Sequence, residues 1–290
     1  VTATGQIFFT LSLGMGIICN YASYLQPDED IVTASVATVA LNEFAEVILA
    51  GTSVIPISYA FLGPEGIKGS IGLAFMALPN VFTTMAGGRI FGAVWFFLLF
   101  FAGFTSAIAM YNYLVALLEE ELGVQRKKGA LLIFVLYLIV GAPIAAEGII
   151  TGEANLIYFT EVDNWIGNYL LIVLGLLEVI TLAWLVRDDG LVEMNKGGLW
   201  HVPKWFYKLF HQFLTPICII VFLGIFTRDY WIAGNFKITP SYINGIEYMA
   251  PWVNAARLVV VVVLIIGFIQ THRAIKRKYK DEIETNKANA

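Results

Sequence analysis

Apolar residues run along this chain in stretches too long for a soluble fold. Seven segments stand out, at about 2–24, 32–61, 89–118, 129–146, 162–186, 205–227 and 251–271. A helix needs roughly 20 apolar residues to cross the hydrocarbon core of a bilayer. Only helices and closed barrels satisfy their backbone there, and these runs are too long for barrel strands. The pattern predicts an all-α multi-pass membrane protein, one transmembrane domain over residues 1–290. Loop 62–88 is long and carries Gly and Pro, yet it stays apolar. That predicts an extracellular lid packed over the helices rather than a solvated linker.

Composition agrees. Of 290 residues, 58% are hydrophobic and 14% charged, with mean hydropathy +0.74, far from a soluble globular average. The net charge of −4 decides nothing, but the distribution of basic residues does. Arg126, Lys127, Lys128, Arg187, Lys196 and Lys204 fall in one set of alternate loops, and the tail adds Arg273, Lys276, Arg277, Lys278 and Lys280. The opposite loops hold Lys68, Arg89, Arg228 and Lys237. The positive-inside rule then places tail 273–290 in the cytoplasm and, with seven spans, the start of the chain outside. Cys19 and Cys218 lie in apolar runs and indicate no disulfide framework. His201, His211 and His272 show no metal-ligand spacing with Cys, and nothing points to a nucleic-acid partner. The chain starts at Val1 without a basic leader or cleavage site, which predicts further sequence ahead of it.

Polar letters inside the spans carry the chemistry. In TLSLGMG, Thr10 to Gly16, two Gly and two hydroxyls sit in a charge-free run. Each Gly costs a helix about 1 kcal/mol relative to Ala, and the hydroxyls can bond freed backbone. Either the helix breaks here, exposing carbonyls and N–H groups that hold ions and charged substrate groups, or the glycines serve close packing. In the second span, Asn42, Glu43 and Glu46 cluster on one helical side with no Lys or Arg in the span. Acids at that depth mark an ion path or a paired site. In the third span, Ala102, Thr105 and Ser106 form one stripe, an all-oxygen edge suited to a hard cation or a small-residue packing face. Glu178 is a further acid at membrane depth with no assigned role beyond a bond to a neighbour. A membrane-embedded enzyme using Glu43 and Glu46 is the competing class, but no nucleophile–base pair is visible. A channel would repeat its polar lining along several helices.

The strings GQIFFTLSLGMG, YASYL, LNEFAEVILAG, FFLLFFAGFTSAIA and LEEEL occur in this order. Together they resemble the neurotransmitter:sodium symporter family, in particular its bacterial amino-acid members of the LeuT type. The resemblance covers the carboxy-terminal portion, spans six to twelve, with spans one to five absent. It implies the inverted-repeat fold of that family, partial here, with about seven transmembrane helices and the first one broken. This family is also the standard illustration of broken-helix binding sites, so that geometry comes with the resemblance.

The resemblance further implies sodium-coupled symport of an amino acid into the cell by alternating access. Phe9, Thr10 and Ser12 would receive the substrate's ammonium group, and Met15, Ser106 and Met110 would border the substrate. Thr10 and Asn42 would ligate a first Na+, and Ala102, Thr105 and Ser106 a second, each site completed by residues outside this chain. Met15 stands where many members carry a rigid aromatic, which favours a hydrophobic or aromatic substrate. Glu46 stands where chloride-dependent members carry a neutral Ser, implying a chloride-independent carrier with Glu46 as a charge or proton site. Asp163 matches the outer gate, and Tyr24 with Glu120 the inner gate. Glu46, short loops and a short tail imply a bacterial inner membrane as the location. A different-solute or non-transporting relative is the alternative.

Overall fold

The computed structural model describes residues 2–64, 75, 78–152, 156–243 and 249–280, and among these there is no strand. Six helices are long and apolar enough to cross a membrane. They are α3 (Ile31–Ala60), α5 (Gly88–Leu122), α6 (Arg126–Thr151), α7 (Ile157–Val186), α9 (Lys204–Ile232) and α10 (Ala250–Lys278). The first apolar run forms two short pieces instead, α1 (Thr2–Thr10) and α2 (Ile17–Ala22). Among the described residues there are also two small α-helices, α4 (Leu78–Thr84) and α8 (Asp188–Met194), and a 3-10 turn at Ser241–Ile243.

Helices outrun their apolar cores. The third run, read as 89–118, extends to Leu122, and the fourth, read as 129–146, covers Arg126–Thr151. Charged letters end an apolar count but not a hydrogen-bond ladder, since a helix end in water keeps its charges solvated. For the same reason α10 continues through Lys278, so the beginning of the 273–290 tail is helical. Residues 281–290 lie outside the described residues, as do 65–74, 76 and 77 of the expected lid. The described end of that loop is α4, which buries Leu78 and Val81.

The most apolar stretches of α3 and α5 bury no residue at all. Large side chains such as Phe97, Leu131 and Ile139 point outward. In water this would be a fatal surface; in lipid it costs nothing, because the solvent is itself apolar.

The chain divides into two compact units. The first comprises Val1–Leu25, Tyr111–Glu193 and Val202–Ala290. Its core joins Phe8 of α1 to Leu171 and Ile172 of α7 and to Ile219, Phe226 and Tyr230 of α9. Two acids, each only 1% exposed, sit in this unit. Glu147 accepts the N–H groups of Ile157 at 2.7 Å and Tyr158 at 2.9 Å, capping the start of α7. Helix N-termini favour a carboxylate, so this burial is compensated. Glu161 pairs with Arg257 Nε at 2.5 Å, and Arg257 also donates to the carbonyls of Asn235 and Lys237. The pair fixes α10 against α7, with the guanidinium 6.0 Å from the Trp165 ring.

The second unit comprises Gln26–Met110 and Met194–His201. Asp30 caps α3, its carboxylate accepting from the Thr33 N–H at 3.0 Å, the Thr33 hydroxyl at 2.7 Å and the Leu199 N–H at 3.3 Å. One helical turn of α3, Phe44–Ala50, is wound as a π-helix.

Candidate functional site

The opening run breaks at the residues that composition singles out. Helix α1 ends at Thr10, and three residues beyond it adopt positive φ: Ser12 at 54°, Gly14 at 73° and Gly16 at 71°. The regular ladder closes off with Ser12 N–H donating to Phe9 O at 3.0 Å and Leu13 N–H to Phe8 O at 2.9 Å. Regular bonding resumes where Asn20 N–H reaches Gly16 O at 3.1 Å. Left-handed backbone is cheap for Gly and costly for other residues, so Ser12 is the strained member.

Packing makes both glycines necessary. A Cβ on Gly14 would stand 2.6 Å from the Leu171 carbonyl oxygen, and one on Gly16 would strike the Tyr113 hydroxyl. Gly175 of α7 returns the fit, since a Cβ there would lie 2.4 Å from the Phe8 ring. The Gly14 N–H, freed by the break, donates to Glu178 Oε2 at 3.0 Å. Beside the break lies a cavity of about 600 Å³, lined by Ser12–Gly16, Tyr113, Leu174, Leu177 and Glu178 among others.

The side chains of α1 split in two directions. Phe8 enters the core, whereas Phe9 is half exposed. The Thr10 hydroxyl donates to Gln6 O at 2.8 Å and accepts from Gln6 Nε2 at 3.3 Å. Met15 packs against the core while also lining the cavity.

In the second unit, Asn42 Nδ2 meets Glu46 Oε2 at 3.5 Å, one turn on in α3, at the outer limit of a hydrogen bond. Glu46 lies within the π-helical stretch of α3. Farther along, α5 gathers four oxygens at one place, two hydroxyls and two carbonyls. The Thr105 hydroxyl donates to Phe101 O at 3.0 Å and Ala102 O at 3.1 Å, and the Ser106 hydroxyl to Ala102 O at 3.1 Å. Because both hydroxyls spend their protons on carbonyls, their lone pairs remain for a cation. These neutral oxygens fit Na+, a hard ion satisfied by carbonyls and hydroxyls. Among the described residues no group of three His, Cys, Asp or Glu is placed to hold a metal ion. Met110 follows on α5, partly buried. Thr10 belongs to the first unit, and Asn42, Ala102, Thr105, Ser106 and Met110 to the second.

The expected gate residues lie in the first unit. Asp163 begins a π-helical stretch of α7 and accepts from Asn168 Nδ2 at 3.2 Å. Tyr24 accepts weakly from Asn112 Nδ2 at 3.5 Å, and Asn112 Oδ1 accepts from Arg126 at 2.8 Å. Glu120 is exposed between two ion-paired neighbours, Glu119 with Arg126 at 3.1 Å and Glu121 with Lys278 at 2.9 Å. Asn112 escapes sequence reasoning because no run or spacing marks it, and Arg126 is marked there only as an orienting charge; the turn after α5 brings Arg126 back to Asn112, which reaches Tyr24. Glu178 is visible as an acid, but its partner is a backbone N–H, which no side-chain pattern reveals.

Residues 1–276 match the model of the sodium:neurotransmitter symporter family. An "uncharacterized sodium-dependent transporter" of Methanocaldococcus jannaschii is 33% identical over 252 residues, covering 82% of this chain and 49% of that protein. A likewise named protein of Bacillus subtilis is 30% identical over 231 residues, covering 77% and 50%. The "sodium-dependent nutrient amino acid transporter 1" of Drosophila virilis is 24% identical over 276 residues, covering 87% and 39%. The chain spans about half the length of the first two relatives.

Proposed function

Because the chain belongs to the sodium:neurotransmitter symporter family, we propose that it forms part of a sodium-coupled symporter that carries a hydrophobic or aromatic amino acid into the cell. The family is one of transporters, and the relatives from Methanocaldococcus jannaschii and Bacillus subtilis are named for sodium dependence rather than for any covalent chemistry. The amino-acid assignment draws support from the name of the Drosophila relative.

The observation that carries the reading is the break at Ser12–Gly16. It presents backbone from an apolar segment, where a bound ammonium group can be received without a full protein charge. Phe9, Thr10 and Ser12 hold that ammonium; Met15, Ser106 and Met110 border the side chain. Thr10 and Asn42 supply oxygens to one Na+, and Ala102, Thr105 and Ser106 to another, both shells completed from outside this chain. Bound Na+ stabilises the substrate-competent conformation, so the sodium gradient drives uptake. Glu46 supplies the fixed negative charge that makes chloride unnecessary. Asp163 closes the outer side, Tyr24 and Glu120 the inner side, and residues 273–290 face the cytoplasm of a bacterial cell.

The test is uptake of radiolabelled tryptophan and leucine into liposomes containing the full-length protein that bears this chain. Sodium is exchanged for potassium and chloride for gluconate. Uptake that needs sodium and ignores chloride is the expected result. Chloride dependence would sink the role given to Glu46. Absence of any amino-acid uptake would shift the assignment to another solute or to a non-transporting relative.

A further inference from the structure

Tyr113 of α5 limits the break at Gly16, but its middle rests on α7, a holder unexplained by the site itself. Past the bonds that Ser12 and Leu13 make back to α1, the residues Gly14 to Gly16 donate to no nearby carbonyl, so their shape must come from what they touch. Three contacts with α7 are available. Gly14 lies flush on the Leu171 carbonyl and the Gly175 backbone, Gly175 receives the Phe8 ring, and the Gly14 N–H donates to Glu178 at 3.0 Å. The first two are steric and set distance. The hydrogen bond to a carboxylate is directional and charge-assisted, and sets orientation.

We infer that Glu178 is a positioning residue. Its carboxylate anchors the Gly14 N–H and so fixes how the neighbouring Ser12 and Thr10 groups face the substrate and Na+. Asp163, the expected outer gate, lies on the same helix about four turns earlier. Helix α7 thus links gate and break, and a shift of α7 carries the left-handed segment with it. The inference rests on the proposed function for what the break binds, but the anchor itself is a separate claim.

The experiment uses the full-length protein with three variants: Glu178→Gln, which keeps an acceptor oxygen, Glu178→Leu, which removes it, and Glu178→Asp, which retracts it. Two readouts are taken. Hydrogen exchange of a peptide covering residues 11–18 reports the anchor without transport. Half-saturating substrate and sodium concentrations, compared with maximal uptake rate, report positioning. In Glu178→Leu, exchange should rise at least about tenfold and both half-saturating concentrations about tenfold. Glu178→Gln should recover to within about threefold, and Glu178→Asp should fall between them. If Glu178→Leu does not fold, the Asp and Gln variants carry the same comparison.

Unchanged exchange in the folded Leu variant, or in the Asp variant if Leu fails, overturns the anchor. A fall in maximal rate with unchanged half-saturation means a merely structural role and overturns positioning. Equal losses in Gln and Leu mean that charge, not the bond to Gly14, matters, and overturn it too. Should the wild-type protein take up no amino acid, the proposed function fails while the exchange arm still decides the anchor.

Discussion

Helices α2 and α3 follow one another in sequence, yet their starts are built in opposite ways. Helix α3 begins beside Asp30, whose carboxylate accepts the Thr33 N–H three residues on. The approach to α2 has no such local cap, and the N–H of Gly14 finds its acceptor in Glu178, far along the chain. A local cap makes a helix start that any fold can use. A distant anchor such as Glu178 instead holds the segment ahead of a helix, and does so only while the two segments are docked. Glu147, buried and capping the start of α7 from α6, is a third case between these extremes.

A second contrast concerns hydroxyls. Thr105 and Ser106 sit in a continuous helix because their hydroxyls fold back onto carbonyls of the preceding turn. Thr10 does the same with Gln6, yet its helix ends there. Hydroxyls therefore do not break the first segment. Left-handed backbone at Ser12, Gly14 and Gly16 does, and side-on packing pays the strain.

The strongest way to break this contrast is Gly14→Ala. It forces a left-handed non-glycine residue and a Cβ 2.6 Å from the Leu171 oxygen. Together these should cost more than the ~1–2 kcal/mol that left-handed backbone alone costs a non-glycine residue, and sodium-driven uptake should fall at least about tenfold. Near-normal uptake would mean that the break tolerates another shape.

Next in size is Thr105→Ala. The helix should stay intact by circular dichroism, while the sodium concentration for half-maximal uptake rises about tenfold, the loss of roughly one good oxygen ligand at ~1.4 kcal/mol per decade. An unchanged sodium curve would remove Thr105 from the ion site.

A glycine in an unbroken helix should behave in the opposite sense. Gly224 of α9 has no neighbouring atom within 4 Å of an added Cβ. Gly224→Ala should leave thermal stability in detergent equal or raise it, by up to about 1 kcal/mol.

The smallest effect belongs to the local cap. Asp30→Ala should lower the melting temperature by roughly 1–3 °C. Hydrogen bonds from the Thr33 backbone and hydroxyl hold the Asp30 carboxyl below its ordinary value of 3.8. A depressed carboxyl stabilises the fold fully above that ordinary value and loses its contribution as pH falls through the folded one. The gap between wild type and Asp30→Ala should therefore be full at pH 7 and close progressively below about pH 3.8. A gap that persists at pH 2 would mean that Asp30 acts through packing instead.

What sequence alone can read follows from the same difference in range. The membrane helices are legible because lipid demands long apolar runs, and the groupings Asn42–Glu46 and Ala102 with Thr105 and Ser106 because one helical turn brings them together. The Asp30 cap is local too, although an apolar count that starts at residue 32 passes over it. The weak point at TLSLGMG is legible from glycine and hydroxyl content, but not what braces it. Glu178, Tyr113 and Gly175 reach the break through tertiary packing, and Glu161 meets Arg257 across two helices. A buried charge announces that it needs a partner; it does not say which.

Helix α5, finally, is a matter of mechanics as much as chemistry. Its 35 residues extend about 52 Å, against about 30 Å of hydrocarbon, so about 20 Å of it overhangs the oil. The paired oxygens of Thr105 and Ser106 fall at the middle of its length. A tilt of about ten degrees around that point would swing each tip by about 4–5 Å and leave the middle nearly still. That middle is the fulcrum of a lever, the place on the rod where rocking would least stretch any bond made to it.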